Sequence, residues 1–179
     1  MLRPSLRAAA AATLLASLAS PAFAHITLET AEAPVGSGYK AVLRVPHGCD
    51  GAATTGITLK VPEGFVSAKP MPKPGWTLEL KSGKYAKTYK NWGSDVSSGV
   101  TEVDFTGGNL PDAYYDEFVV TGTIADSFKA GDVIRFPVVQ ECGAAAERWI
   151  QVPAAGQKDD DLKRPAPALT VTAATGSDD

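Results

Sequence analysis

Asp116-Glu117-Phe118-Val119-Val120-Thr121-Gly122-Thr123 is the stretch whose character decides the fold class. It is dense in β-branched and aromatic side chains, which suit a pleated, half-buried surface better than a helix. Val133–Gln140 downstream has the same character, and Lys129-Ala130-Gly131-Asp132 between the two has turn chemistry. Working outward, similar runs cover Ile26–Glu32, Tyr39–Pro46, Thr54–Val61, Thr77–Leu80, Tyr85–Trp92, Val100–Thr106 and Arg148–Val152. Val35-Gly36-Ser37-Gly38, Pro62-Glu63-Gly64, Lys81-Ser82-Gly83-Lys84 and Gly107-Gly108-Asn109 punctuate them. No stretch carries the apolar period of an amphipathic helix. The pattern predicts an all-β chain, folded as one antiparallel sandwich of immunoglobulin-like type.

The 24 residues that precede His25 read differently. Arg3 and Arg7 make a positive start, an uncharged Ala/Leu stretch follows, and the segment ends in Ala22-Phe23-Ala24. This is the pattern of a secretory signal peptide, cleaved after Ala24. A membrane anchor is the competing reading, but the apolar run is shorter than the roughly 20 residues a spanning helix needs. Cleavage would leave a mature chain that begins at His25. Residues 25–155 then form the sandwich, and residues 156–179 a tail rich in Pro, Ala and Asp. Ala168–Thr172 could add an edge strand to it, and Ala173–Asp179 has the composition of a disordered end. No second apolar segment is long enough to span a membrane, so the expected location is periplasmic or secreted.

Charge narrows the partners. The whole chain has a formal net charge of −3, and loss of Arg3 and Arg7 makes it −5. A mildly acidic exported domain has no electrostatic reason to bind nucleic acid or anionic lipid. The two cysteines, Cys49 and Cys142, are an even count in an exported chain and predict a disulfide. It would close a loop of about 93 residues, with a nominal stabilisation of roughly 4 to 5 kcal/mol in the chain-entropy model. A pair of thiolate metal ligands is the alternative, and an oxidising compartment argues against it.

Strand pairing gives the candidate site. If Ile26–Glu32 and Tyr39–Pro46 form a hairpin turning near Gly36, His25 comes opposite His47, the only other histidine. If Asp116–Thr123 pairs with Val133–Gln140, Glu117 approaches Gln140 and Glu141. If Val133–Gln140 pairs with Arg148–Val152 through Gly143–Ala146, Trp149 lies near Glu141. Cys49 stands just past His47 and Cys142 just past Glu141. The pairings therefore gather His25, His47, Glu117, Glu141 and Trp149 at one end of the sandwich.

A chain that starts on histidine offers a neutral α-amine and an imidazole on one residue, and both can hold one metal in a chelate. Nitrogen ligands in a flattened arrangement suit Cu(II), which also tops the divalent affinity order. The only methionines are Met1 and Met71, so no thioether-rich Cu(I) site is available. Plainer readings stand beside these. His25 is whichever residue follows the cleavage site, and Glu117 an exposed strand residue. Trp149 is core, Trp92 core or sheet surface, and Trp76 a packed turn aromatic. Gly107-Gly108 lacks the following helix of a phosphate loop. No Ser–His–Asp pattern supports hydrolysis, and the chain reads as a binding protein, not an enzyme.

Several short motifs, in order, carry a resemblance. They are Ala24-His25-Ile26-Thr27-Leu28, Arg44-Val45-Pro46-His47-Gly48-Cys49, Thr54-Thr55, Val61-Pro62-Glu63-Gly64 and Pro72-Lys73-Pro74-Gly75-Trp76. Thr106-Gly107-Gly108-Asn109-Leu110-Pro111, Asp116-Glu117-Phe118 and Phe136-Pro137-Val138-Val139-Gln140-Glu141-Cys142, followed by Trp149, complete the set. Together they resemble the bacterial YcnI-like domain, long a domain of unknown function and later linked to copper. The resemblance implies a β-sandwich that binds one Cu(II) through its processed terminal histidine, a monohistidine brace. His25 matches the brace histidine and Trp149 the tryptophan near the metal. Family members carry a glutamate just after the Val-Pro step, where this chain has His47-Gly48-Cys49-Asp50. His47, Asp50 or Glu117 is then the second ligand.

The leading expectation is a periplasmic Cu(II)-binding protein of copper homeostasis, a chaperone for other periplasmic or membrane copper-handling proteins. Two alternatives differ in class. One is a metal-free exported immunoglobulin-like module that recognises another envelope protein. The other is a copper-dependent oxidase.

Overall fold

The computed structural model describes residues 25–174. The expected signal peptide and the last five residues of the expected disordered end lie outside the described residues. The chain is all-β, with one turn of 3₁₀ helix at Asp159–Asp161. Its strands are β1 (Thr27–Leu28), β2 (Glu32–Pro34), β3 (Gly38–Val45), β4 (Thr54–Lys60), β5 (Phe65–Pro70) and β6 (Thr77–Asn91). There follow β7 (Ser94–Leu110), β8 (Asp116–Ile124), β9 (Val133–Arg135), β10 (Val138–Cys142), β11 (Ala145–Trp149) and β12 (Ala168–Thr172).

Alternation explains the layers. In β3, Tyr39, Ala41, Leu43 and Val45 are buried on one face, which makes core, while on the other Lys40 and Arg44 are exposed and Val42 alone is covered. One sheet runs β1-β3-β8-β5, and a second runs β11-β10-β4-β7-β6. Side chains from both join one buried cluster around Phe65, Phe105, Phe118 and Phe136. Phe105 meets Phe118 edge-on at 5.1 Å, and Phe65 meets Phe136 at 5.3 Å. Such pairs add to area burial because ring edge and ring face carry opposite partial charge. A third sheet, β2-β12-β9, is antiparallel between β12 and β9 and parallel between β12 and β2.

Several expected strands are rearranged, each for a physical reason. Ile26–Glu32 is two short strands in different sheets, because the chain leaves β3 after Glu29 and β2 pairs with β12. Asp116–Thr123 does not pair with Val133–Gln140; β8 lies between β3 and β5. Pro137 has no N–H for a ladder, and it divides the second run into β9 and β10, which join different sheets. Thr77–Leu80 and Tyr85–Trp92 are one strand, because Lys81-Ser82-Gly83-Lys84 runs through as a bulged ladder with β7. Gly107 likewise sits inside β7. β5 had no counterpart among the expected strands.

The tail belongs to the core. β12 is the centre of its sheet, not an edge, and Leu169 and Val171 are fully buried. Cys49 and Cys142 form the expected disulfide, with Cα atoms 5.9 Å apart. Among the described residues no helix is long and apolar enough to cross a membrane.

Candidate functional site

Four segments meet around a small pocket of about 250 Å³: the chain before β1, the β3–β4 loop, β11 and the stretch before β12. His25, His47, Asp50, Glu147 and Trp149 line it, together with Lys163 and Arg164. Trp149 is its buried floor. Its indole Nε1 donates to Gln140 Oε1 at 3.0 Å, and the His25 ring packs against it edge-on, centroids 5.5 Å apart. His25 also lines a larger neighbouring cleft of about 820 Å³ that includes Ile26, Leu28, Pro46 and Tyr115.

The β3–β4 loop is held from three sides. Gln140 Nε2 donates to the His47 carbonyl at 2.7 Å, the disulfide anchors Cys49 on β10, and Gly48 N donates to Asp112 Oδ1 at 2.9 Å. Asp50 and Gly51 both adopt positive φ, of 48° and 87°, and the backbone of Cys49 and Ala52 closes over them at 3.0 and 2.9 Å. This is the two-residue Asp-Gly turn that φ > 0 at both central positions favours. A side chain on Gly48 would place its Cβ 1.8 Å from the Ala52 carbonyl oxygen, so only glycine lets the loop close.

The expected site residues divide cleanly. His25, His47, Asp50 and Trp149 line one pocket. The β1–β3 register sets Thr27 against Arg44, one residue away from the expected pairing, and continued it would place His25 against Pro46. His47 reaches the pocket all the same. Glu117 is not brought there: it pairs across β8 and β3 with Arg44, at 3.5 Å between charged atoms. Trp149 pairs with Val138, not near Glu141, and Glu141 pairs with Ala146. Successive residues of β10 face opposite ways, so Gln140 shares the buried face with Trp149 while Glu141 is exposed on the other. Glu147, Lys163 and Arg164 were not foreseen, because they arrive through the β10–β11 hairpin and the tail. The Asp50-Gly51 pair was the sequence signal for the turn that places Asp50.

Among the described residues no group of three or more His, Cys, Asp and Glu side chains could hold a metal ion.

Fold and pocket define an immunoglobulin-like β-domain with a histidine-bearing pocket beside its disulfide. Residues 25–171 match the family described as a domain of unknown function (DUF1775), the YcnI-like family, and the chain belongs to it. No curated protein matches the chain. It is similar to a solved, uncharacterized protein from Nocardia farcinica described as having an immunoglobulin-like fold. The two share 27% identity over 83% of this chain and 98% of that one, with a TM-score of 0.59.

Proposed function

We propose that this protein binds one Cu(II) ion in the pocket floored by Trp149, using His25 as the first residue of an exported chain. The observation that carries the reading is the placement of His25. Its ring packs on a buried tryptophan, in a pocket that also holds His47 and Asp50.

Cleavage after Ala24 would turn the His25 backbone nitrogen into a free amine. That amine is a donor no side-chain cluster contains, so the lack of a three-residue cluster is compatible with the reading. The amine and imidazole of His25 would form the chelate, with His47 or Asp50 completing it. Glu117 does not line this pocket; its carboxylate lies 3.5 Å from Arg44, which also bonds Glu29 at 3.0 Å. Nitrogen and oxygen donors of this kind suit Cu(II), which they would hold in its bound state. The polypeptide's task is to hold the ring, shield it with the indole and place the loop donors. The role that fits is copper delivery or homeostasis in the periplasm, with copper-handling proteins as partners and no catalysis.

Isothermal titration of the chain that begins at His25 tests this. One Cu(II) per chain is expected, with affinity falling as pH drops, because both nitrogens must lose their protons to bind. His25→Ala should abolish the site. Mass spectrometry of the exported protein must find His25 first; another start, or no stoichiometric copper, overturns the reading and favours a metal-free interaction module.

A further inference from the structure

The tail reaches the pocket and touches the key residue. Nε2 of His25 lies 3.2 Å from the carbonyl oxygen of Lys163. A carbonyl only accepts hydrogen bonds, so Nε2 must carry the hydrogen when this contact is made. In a neutral imidazole the other nitrogen, Nδ1, then holds the free lone pair.

Lys163 is itself placed by a clasp. The next residue, Arg164, ion-pairs with Glu147 on β11. Arg164 N donates to Gln151 Oε1 at 2.7 Å, and Gln151 N donates to the Arg164 carbonyl at 3.0 Å. Ala166 N adds a bond to the Gln151 carbonyl at 2.9 Å. Further along, Arg135 Nη1 donates to the Ala166 carbonyl at 3.1 Å and pairs with Asp159 at 2.8 Å. Six contacts thus tie an otherwise irregular segment to β9 and to the residues around the end of β11. It presents one carbonyl to His25.

We infer that the segment from Asp159 to Ala166 is a working part of the His25 site: its Glu147–Arg164 and Gln151 clasp sets the Lys163 carbonyl against Nε2 and reserves Nδ1 for the metal. Nδ1 is the ring nitrogen nearer the α-amine in the covalent structure, so this tautomer is the one that lets both nitrogens of His25 close on one ion. The inference rests on the copper reading for its purpose but not for its geometry. Arg164, Glu147 and Gln151 are positioning residues, acting through Lys163.

The test uses the metal-free chain that begins at His25, in mildly alkaline buffer. Long-range ¹H–¹⁵N spectra report which ring nitrogen of His25 carries the hydrogen. The parent chain should show the Nε2–H form. Gln151→Ala and the Glu147→Ala/Arg164→Ala pair should shift His25 toward a mixture of tautomers and weaken Cu(II) binding about tenfold, as loss of outer-shell partners does. Thermal unfolding of each variant checks that the sandwich persists. An Nδ1–H parent overturns the inference without any variant. So do folded variants with unchanged tautomer and unchanged affinity. If the parent takes up no copper, the copper reading falls, and the tautomer spectrum still decides the clasp.

Discussion

The indole Nε1 of Trp149 donates to Oε1 of Gln140 at 3.0 Å, and the same Gln140 amide donates from Nε2 to the His47 carbonyl and to Thr54 Oγ1. One buried side chain therefore sets both the floor of the pocket and the loop beside it. Gln140 is fully buried, and its bonds to Trp149 and Thr54 are buried too, so those two partners would have no water to turn to. Gln140→Ala should destabilise the domain by about 2 kcal/mol or more, since orphaned buried polar groups cost about 1 to 3 kcal/mol each. Thermal unfolding should show a midpoint roughly 5 °C lower. Trp149→Phe, which orphans only Gln140 Oε1, should be the milder of the two.

The disulfide joins the His47 loop to β10. Replacing both Cys49 and Cys142 with serine should cost about 2 to 5 kcal/mol by denaturant unfolding. Because the crosslink also fixes the loop that carries His47 and Asp50, affinity at the proposed copper site should fall further than a remote lesion of equal cost would lower it. An unchanged unfolding midpoint would contradict the structural role.

Trp92 sits at the tip of the β6–β7 hairpin with φ of 49°, followed by Gly93 at 80°. That turn favours Asn-Gly, and a bulky residue in the left-handed region costs about 1 to 2 kcal/mol. The side chain is 80% exposed, so little packing offsets the strain. Trp92→Asn should stabilise the domain by about 1 kcal/mol. A destabilised variant in urea unfolding would show that the exposed ring makes contacts the fold depends on.

Burial, helped by the Glu29 charge, pushes the Tyr39 phenol up from 10.0 to about 12. Its hydroxyl donates to the Thr30 carbonyl at the point where the chain leaves β3 for the third sheet. The folded state favours the neutral phenol. Its stabilising contribution is therefore complete below about pH 10 and lost as pH rises through about 12. Tyr89, raised to about 12 by burial and its bond to Glu63, acts in the same direction. Urea midpoints should drop across that window, and Tyr39→Phe should flatten the drop.

How much of this could be read beforehand follows from where each signal lies. Residue composition was enough for the all-β class, and cysteine parity for Cys49–Cys142. The association of His25 with His47 and Trp149 survived the one-residue difference in the β1–β3 register, because all three remain near one end of their strands. Glu117 was misplaced because its partner, Arg44, lies on a strand remote in sequence, and no local pattern names a sheet neighbour. Glu141 was misplaced by a single step of the pleat. The tail reads as at most an edge strand because Pro165, Pro167 and the alanines around them resemble a linker. Leu169 and Val171 show alternation too short to weigh against that composition, yet they are core.

In the proposed site, copper is held by the α-amine and imidazole of His25 together. This arrangement is tested most directly by titrating Cu(II) into two chains that both begin at His25, one with a free α-amine and one acetylated there. Blocking the amine leaves every side chain in place. Affinity should fall by about 100-fold or more, at least the upper end of what losing an outer-shell partner costs. Equal affinity in the two chains would contradict it.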